Sequence, residues 1–198
     1  MSERAFPIPR LENYALQFLR HGREGWDIPH SKAVAYHAAQ IALAEGLDAK
    51  AHFTAGWLHD TGYFRAFNPN ESHNLGKITE RKTLHMIRGV EYAEIFFKLK
   101  KMTGFYTPAQ QELIMFLIGT HDKLDELSTI DQIAFMEADT LGMIDLSRIK
   151  PTFDRATALK NIEGELKKRV SLFRTEYGKR MLSELFPKYL NYCNDVLK

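Results

Sequence analysis

With 198 residues and 27 Lys and Arg against 25 Asp and Glu, the chain has the size of one compact domain, and its net charge of +2 is too small to imply a nucleic-acid track. Hydrophobic residues at 44% and charged residues at 26% are ordinary globular values. Cys193 is the single cysteine, which excludes an internal disulfide and a cysteine zinc cage and makes a reducing cytoplasm the expected location.

The N-terminal residues Met1–Ala5 lead into no apolar h-region, so no secretory signal is expected, and Leu113–Ile118 is far too short to span a bilayer. Leu11, Ala15, Phe18 and Leu19 form a helical stripe that ends near Gly22–Gly25. Asp27 and Pro29 open a second helix, on which Ala33, Val34, His37, Ile41 and Ala44 recur at helical spacing before Gly46 closes it. Asp48 is placed to cap a third helix running through Phe53 and Trp57 to His59-Asp60 and stopping at Thr61-Gly62. Residues 64–76, with Asn68-Pro69-Asn70, read as an irregular loop. The spacing predicts a helix from Thr79 to about Lys101, another from near Pro108 to His121, and an apolar one over Ile130–Ile144 carrying Asp139. Beyond Pro151, Phe153, Ala156, Leu159, Ile162, Leu166, Val170 and Phe173 trace a long stripe, with Gly178 separating it from a last helix. No segment alternates as a half-buried strand would, so the predicted fold is all-α.

Eight histidines are scattered along these helices. His59-Asp60 stands at a predicted helix C-terminus, where free carbonyls and partial negative charge tolerate a cation, and His121-Asp122 repeats the arrangement. Asp139 sits among apolar residues, where a carboxylate is costly unless paired or metal-bound. A His-Asp dipeptide arises easily by chance, and a lone histidine on an apolar helix is more often a hydrogen-bonded core residue than a ligand. The ordered set His30, His59-Asp60, His85, His121 and Asp139, spread over different helices, is what a helical bundle needs to converge on metal.

The sequence here resembles the HD superfamily of metal-dependent phosphohydrolases. The resemblance rests on His30 opening a helix, on Ala44-Glu45-Gly46-Leu47-Asp48, on Ala55-Gly56-Trp57-Leu58-His59-Asp60-Thr61-Gly62-Tyr63 and on Glu137-Ala138-Asp139, and it covers about residues 26–145. It implies a compact helical bundle in which His30, His59, Asp60 and Asp139 hold one divalent ion. His85-Met86-Ile87-Arg88-Gly89-Val90-Glu91 and Ile118-Gly119-Thr120-His121 resemble the added histidine elements of two-metal branches, which implies a second ion on Asp60, His85 and His121. Imidazole and carboxylate without thiolate suit Mn, Fe, Co, Ni or Zn. The implied activity is hydrolysis of a phosphate monoester or nucleotide by metal-activated water, with a small phosphorylated molecule as partner. The same ligand set also occurs in di-iron oxygenases that cleave C–C or C–P bonds, and a regulatory module binding a nucleotide or metabolite is the third alternative.

Asp60 is the expected centre of catalysis, with Lys123 and Arg65, close in sequence to the ligands, as candidate phosphate-binding cations. Lys77, Arg81 and Lys82 read instead as a solvated helix face. Tyr63 replaces the lysine often found after the glycine in this family. His37 reads as a core residue, His73 as a loop residue within possible reach of substrate, and His21 and His52 as structural or exposed. Asp122 is not expected to bind metal directly. Residues 1–25 are expected to pack as an N-terminal helix on a catalytic core of residues 26–145, completed by C-terminal helices over residues 146–198. The apolar stripe of those helices suits core packing, and a homodimer through it stays open.

Overall fold

The computed structural model describes residues 8, 10–68, 71–99, 102 and 104–197. The expected loop residues Pro69 and Asn70, the N-terminal Met1–Ala5 and the helix end at Lys101 lie outside them. The chain folds as helices α1 (Leu11–Leu19), α2 (Asp27–Glu45), α3 (Ala49–Leu58), α4 (Leu75–Lys98), α5 (Pro108–Thr120) and α6 (Ile130–Ile144). The C-terminal part adds α7 (Arg155–Asn161), a π-helical turn (Ile162–Leu166), α8 (Lys167–Ser171) and α9 (Glu176–Asp195). A 3₁₀ turn, His59–Tyr63, continues directly from α3. There is no strand among the described residues, and no helix among them is long and apolar enough to cross a membrane.

Helix α2 is the central post. Its alanines at 33, 35, 38, 39 and 42 are buried, and short side chains let α3 and α6 approach it on two sides. Two glycines permit that approach: a Cβ at Gly56 would lie 2.5 Å from the Ala35 Cα, and one at Gly142 would lie 2.6 Å from a Val34 methyl. Gly46 ends α2 in the left-handed region at φ 72°. Side-chain caps set the starts of α3, α4, α5 and α6. Asp48 accepts the Ala51 N–H at 2.9 Å, and Thr107 with Gln110 and Thr129 with Gln132 form reciprocal capping boxes on α5 and α6. Asn74 caps α4, so this helix begins at Leu75, earlier than Thr79 as the periodicity predicts.

The C-terminal stripe departs further from expectation. The chain leaves the helix after Ser171, and α9 starts at Glu176, so Gly178 lies inside its first turn instead of separating two helices. The cause is tertiary: Gly178 faces the buried Glu137 carboxylate, where a Cβ would collide at 2.0 Å. That carboxylate accepts the N–H groups of Arg174 and Thr175 and the Thr175 hydroxyl, while Thr175 itself caps α9 by accepting from Gly178 at 2.9 Å. Glu137 thereby places an anion at the positive end of α9 and ties that helix to α6.

Candidate metal centre

The 3₁₀ turn presents the histidine and aspartate that α3 delivers. Gly62 within it lies so close to α4 that a Cβ would come within 1.8 Å of the His85 carbonyl oxygen, which brings His85 beside Asp60. His30 comes from the first turns of α2, His121 from the C-cap of α5 and Asp139 from the middle of α6. All six side chains expected as ligands are buried. Ligand atoms of His30, His59 and Asp60 lie within 4.8 Å of one another, and so do those of Asp60, His85 and His121. The two triads share Asp60. Its Oδ2 lies 3.2 Å from His59 Nε2 and 3.6 Å from His30 Nε2, and its Oδ1 lies 3.6 Å from His85 Nε2. Asp139 joins the first triad through Oδ1, 3.0 Å from His30 Nε2 and 3.7 Å from His59 Nε2.

The tautomers decide what such a cluster fits. The Nδ1 atoms of His59, His121 and His85 donate to the carbonyls of Gly56 (2.9 Å), Ile118 (2.8 Å) and Arg81 (3.4 Å), which turns each Nε2 toward the centre and, in the neutral ring, leaves it a lone pair. Yet the Nε2 atoms of His85 and His121 face each other at 3.1 Å, and those of His30 and His59 at 3.4 Å. Two lone pairs cannot hydrogen-bond, so the His85–His121 pair is suited to a shared cation, while His30 and His59 turn their Nε2 atoms toward the carboxylates of Asp139 and Asp60. The donor set fits a borderline transition metal.

Electrostatics point the same way. Burial, then the neighbouring His121, push the His85 pKa down to about 3, and burial lowers His121 as well, so both rings are neutral at pH 7, the form in which an imidazole can accept a metal. Burial would also lower His59, but Asp60 and Asp139 outweigh it and lift His59 to about 9. Burial acts to raise Asp60 and Asp139, and nearby Arg23 and Arg169 respectively hold both well below the ordinary carboxylate range.

These arginines were not anticipated. Arg23, from the turn before α2, bonds Asp60 Oδ2 through Nη2 and the buried Asp27 through Nε at 2.6 Å. Its guanidinium lies 4.4 Å over the Tyr63 ring, and Tyr63 in turn stacks on His85 at 4.1 Å. Tyr63 therefore occupies space behind the second triad with an uncharged ring. The spacing of Arg23 four residues before Asp27 is the only sequence sign of this pairing. Arg169 bonds Asp139 Oδ2 at 2.8 Å and also Asp122. It falls three residues after Leu166 and four before Phe173, on the apolar stripe, and that position is the signal that it turns inward.

Lys82 likewise corrects its reading as solvated: it reaches Glu165 at 2.8 Å and Asp122 at 3.5 Å and lines the pocket over the metal centre. Lys123 and Arg65 do not join the site. Lys123 pairs with Glu126 at 3.3 Å, and Arg65, exposed at a left-handed φ of 51°, lays its guanidinium over Phe64. Neither lines the pocket. His73 does, beside Phe153; His37 is buried against Asp145; His52 is buried, and His21 is exposed. The pocket has a volume of about 370 Å³, and its outer wall comes from the C-terminal part through Thr152, Phe153, Lys160, Asn161, Leu166 and Tyr189.

Comparison with known families matches residues 28–144 to the HD domain. The chain belongs to the HD-domain family. Among solved structures, this HD protein is similar to one described as a predicted HD superfamily hydrolase from an uncultured Thermotogales bacterium. The two share 21% identity with a TM-score of 0.57, over 94% of this chain and 90% of the other. That likeness extends the shared fold beyond the HD core into the C-terminal helices. No curated protein matches the sequence.

Proposed function

We propose that this HD protein is a metal-dependent phosphohydrolase acting on a small phosphate monoester. The observation that carries the reading is the pair of histidine–aspartate triads sharing Asp60 at the floor of a cation-containing pocket. Divalent ions held there would supply Lewis-acid polarisation of a phosphoryl oxygen and lower the pKa of a coordinated water to about 7. The protein's own groups do the rest. Backbone carbonyls hold His59, His85 and His121 in the ligand tautomer, Arg23 and Arg169 fix the two carboxylates, and the buried floor excludes bulk water.

Charge balance supports a monoester over a polyphosphate. In and directly behind the pocket, five carboxylates (Asp27, Asp60, Asp122, Asp139 and Glu165) face three cations (Arg23, Lys82 and Arg169), all three engaged in ion pairs. Two divalent ions would convert this deficit of two positive charges into an excess of two, which one phosphate dianion neutralises. Lys160 at the rim is left for a further single charge on the substrate. The volume lies at the low end for small-molecule sites, and Trp26 and Phe153 offer apolar walls to the alcohol portion.

The test is metal analysis of protein purified without chelator, followed by a panel of phosphate monoesters, diesters and nucleoside triphosphates with added Mn. Monoesters should release phosphate faster than triphosphates. Iron-containing protein that consumes oxygen and releases no phosphate from any member would overturn the reading in favour of oxygenase chemistry.

A further inference from the structure

Arg169 lies outside the HD-matched residues 28–144, on the short helix α8, yet it is only 2% exposed and reaches both halves of the metal centre. Its Nη1 donates to Asp139 Oδ2 at 2.8 Å, its Nη2 to Asp122 Oδ1, and its Nε to Glu165 Oε1 at 3.2 Å. The oxygen it takes from Asp139 is the one turned away from the histidines; Oδ1 is left facing His30 and His59. Asp122 is divided in the same way, with Oδ1 toward Arg169 and Lys82 and Oδ2 3.9 Å from His85 Nε2. One guanidinium fork therefore orients a carboxylate beside each triad.

The local chain is built to aim this fork. Glu165 sits in the π-helical turn and Arg169 four residues later, so they share a face and pair, while Lys82 from α4 binds the same Glu165 oxygen at 2.8 Å. A buried arginine with three acceptors around its fork has little rotational freedom. Lysine, with one ammonium on a flexible stem, cannot reproduce two divergent N–H directions.

We infer that Arg169 is a positioning residue for the metal centre, fixing Asp139 as a donor through a single oxygen, so that the C-terminal helices complete a site whose ligands all lie in the HD core. This rests on the proposed metal-dependent reading and extends it to residues that the family match does not cover.

The test is calorimetric titration of the metal-free full-length protein with Mn(II), comparing wild type with Arg169→Lys, which keeps the charge and removes the fork. R169K should fold with a lowered melting temperature, because the carboxylates around it lose donors, and bind the ion of the His30, His59, Asp60 and Asp139 group about 10–100-fold more weakly. The ion on Asp60, His85 and His121 should be affected less. A residue that only docks α8 onto the core would change melting temperature and leave both affinities alone. Wild-type affinities in folded R169K overturn the inference. A wild type that binds no Mn(II), Co(II) or Zn(II) instead overturns the metal reading beneath it. If R169K does not fold, Glu165→Ala, which frees the Nε anchor while leaving the fork in place, should weaken the same ion by a smaller factor, and unchanged binding there also overturns it.

Discussion

Replacing Glu137 with alanine should loosen the C-terminal helices from the core. The carboxylate is fully buried and accepts three hydrogen bonds, from the Arg174 N–H, the Thr175 N–H and the Thr175 hydroxyl. Alanine leaves the buried Thr175 N–H without an acceptor and the Arg174 N–H partly so, at about 1–3 kcal/mol for each orphaned group. The hydroxyl can rotate, and Arg174 is exposed enough to recruit water, which gives a net loss of about 2–4 kcal/mol. For a chain of this size that is a fall in melting temperature of about 6–12 °C. Glutamine should lose less, because it keeps one oxygen for the backbone donors and removes a charge whose burial holds the Glu137 pKa above its ordinary value. Thermal and urea unfolding of E137A, E137Q and the double variant with Thr175→Val would measure it. A double variant no worse than E137A shows the two residues acting as a unit. Loss below about 0.5 kcal/mol in E137A would refute the tie between α6 and α9 as a stabilising element.

Wild type saturated with Mn should hold two ions per chain, and His85→Ala or His121→Ala should each lose mainly one while keeping the ion of the His30 triad; metal analysis that finds one ion in all three proteins would contradict this. Asp60→Ala should abolish metal binding, whereas Asp122→Ala, which touches Arg169 and Lys82, should keep the metal and lose about 10–100-fold in rate; equal metal content and equal rates in the two would count against the shared role of Asp60. His37 should contribute to acid sensitivity. Burial lowers its pKa from 6.5 despite the Asp145 carboxylate at 3.0 Å, so the unfolded chain binds the proton more readily. Its contribution is full above about pH 6.5 and is lost as pH falls through the lowered native value, with a slope of up to about 1.4 kcal/mol per pH unit. His37→Gln should flatten urea stability against pH as pH falls below about 6.5, by up to that slope; an unchanged slope would remove His37 from the acid response.

The sequence made the helices legible wherever local chemistry decides them. Asp48, Gly46 and Pro108 punctuate segments whose apolar period is 3.6, and these boundaries stand in the structure. The candidate ligand histidines could be ordered because each sits at or near a helix end or in a recognisable family element. What could not be read were the partners supplied from far along the chain. Lys82 looks like any solvated lysine until Glu165, 83 residues later, is placed opposite it. Arg169 follows two lysines in a run that reads as a charged surface, and only its place on the apolar stripe distinguishes it from Lys167 and Lys168, both exposed. Gly178 was misleading for the same reason. Glycine at a helix junction and glycine admitting a distant carboxylate look identical in one dimension. Arg65 and Lys123 show the reverse failure, since nearness to a ligand in sequence does not aim a side chain into the pocket.

Trp26 stacks on the His30 ring at a centroid distance of 5.3 Å and an interplanar angle of 26°, directly against one of the two facing histidine pairs. The chain holds only one other tryptophan, Trp57, buried in α3. The protein thus carries its own optical gauge. Loading the His30 group with an open-shell ion such as Mn(II) or Co(II) should quench Trp26 emission through that stack, while closed-shell Zn(II), bound by the same atoms, should leave it brighter. A fluorescence titration on unlabelled protein then reports which of the two ion positions fills first, something that bulk stoichiometry does not distinguish.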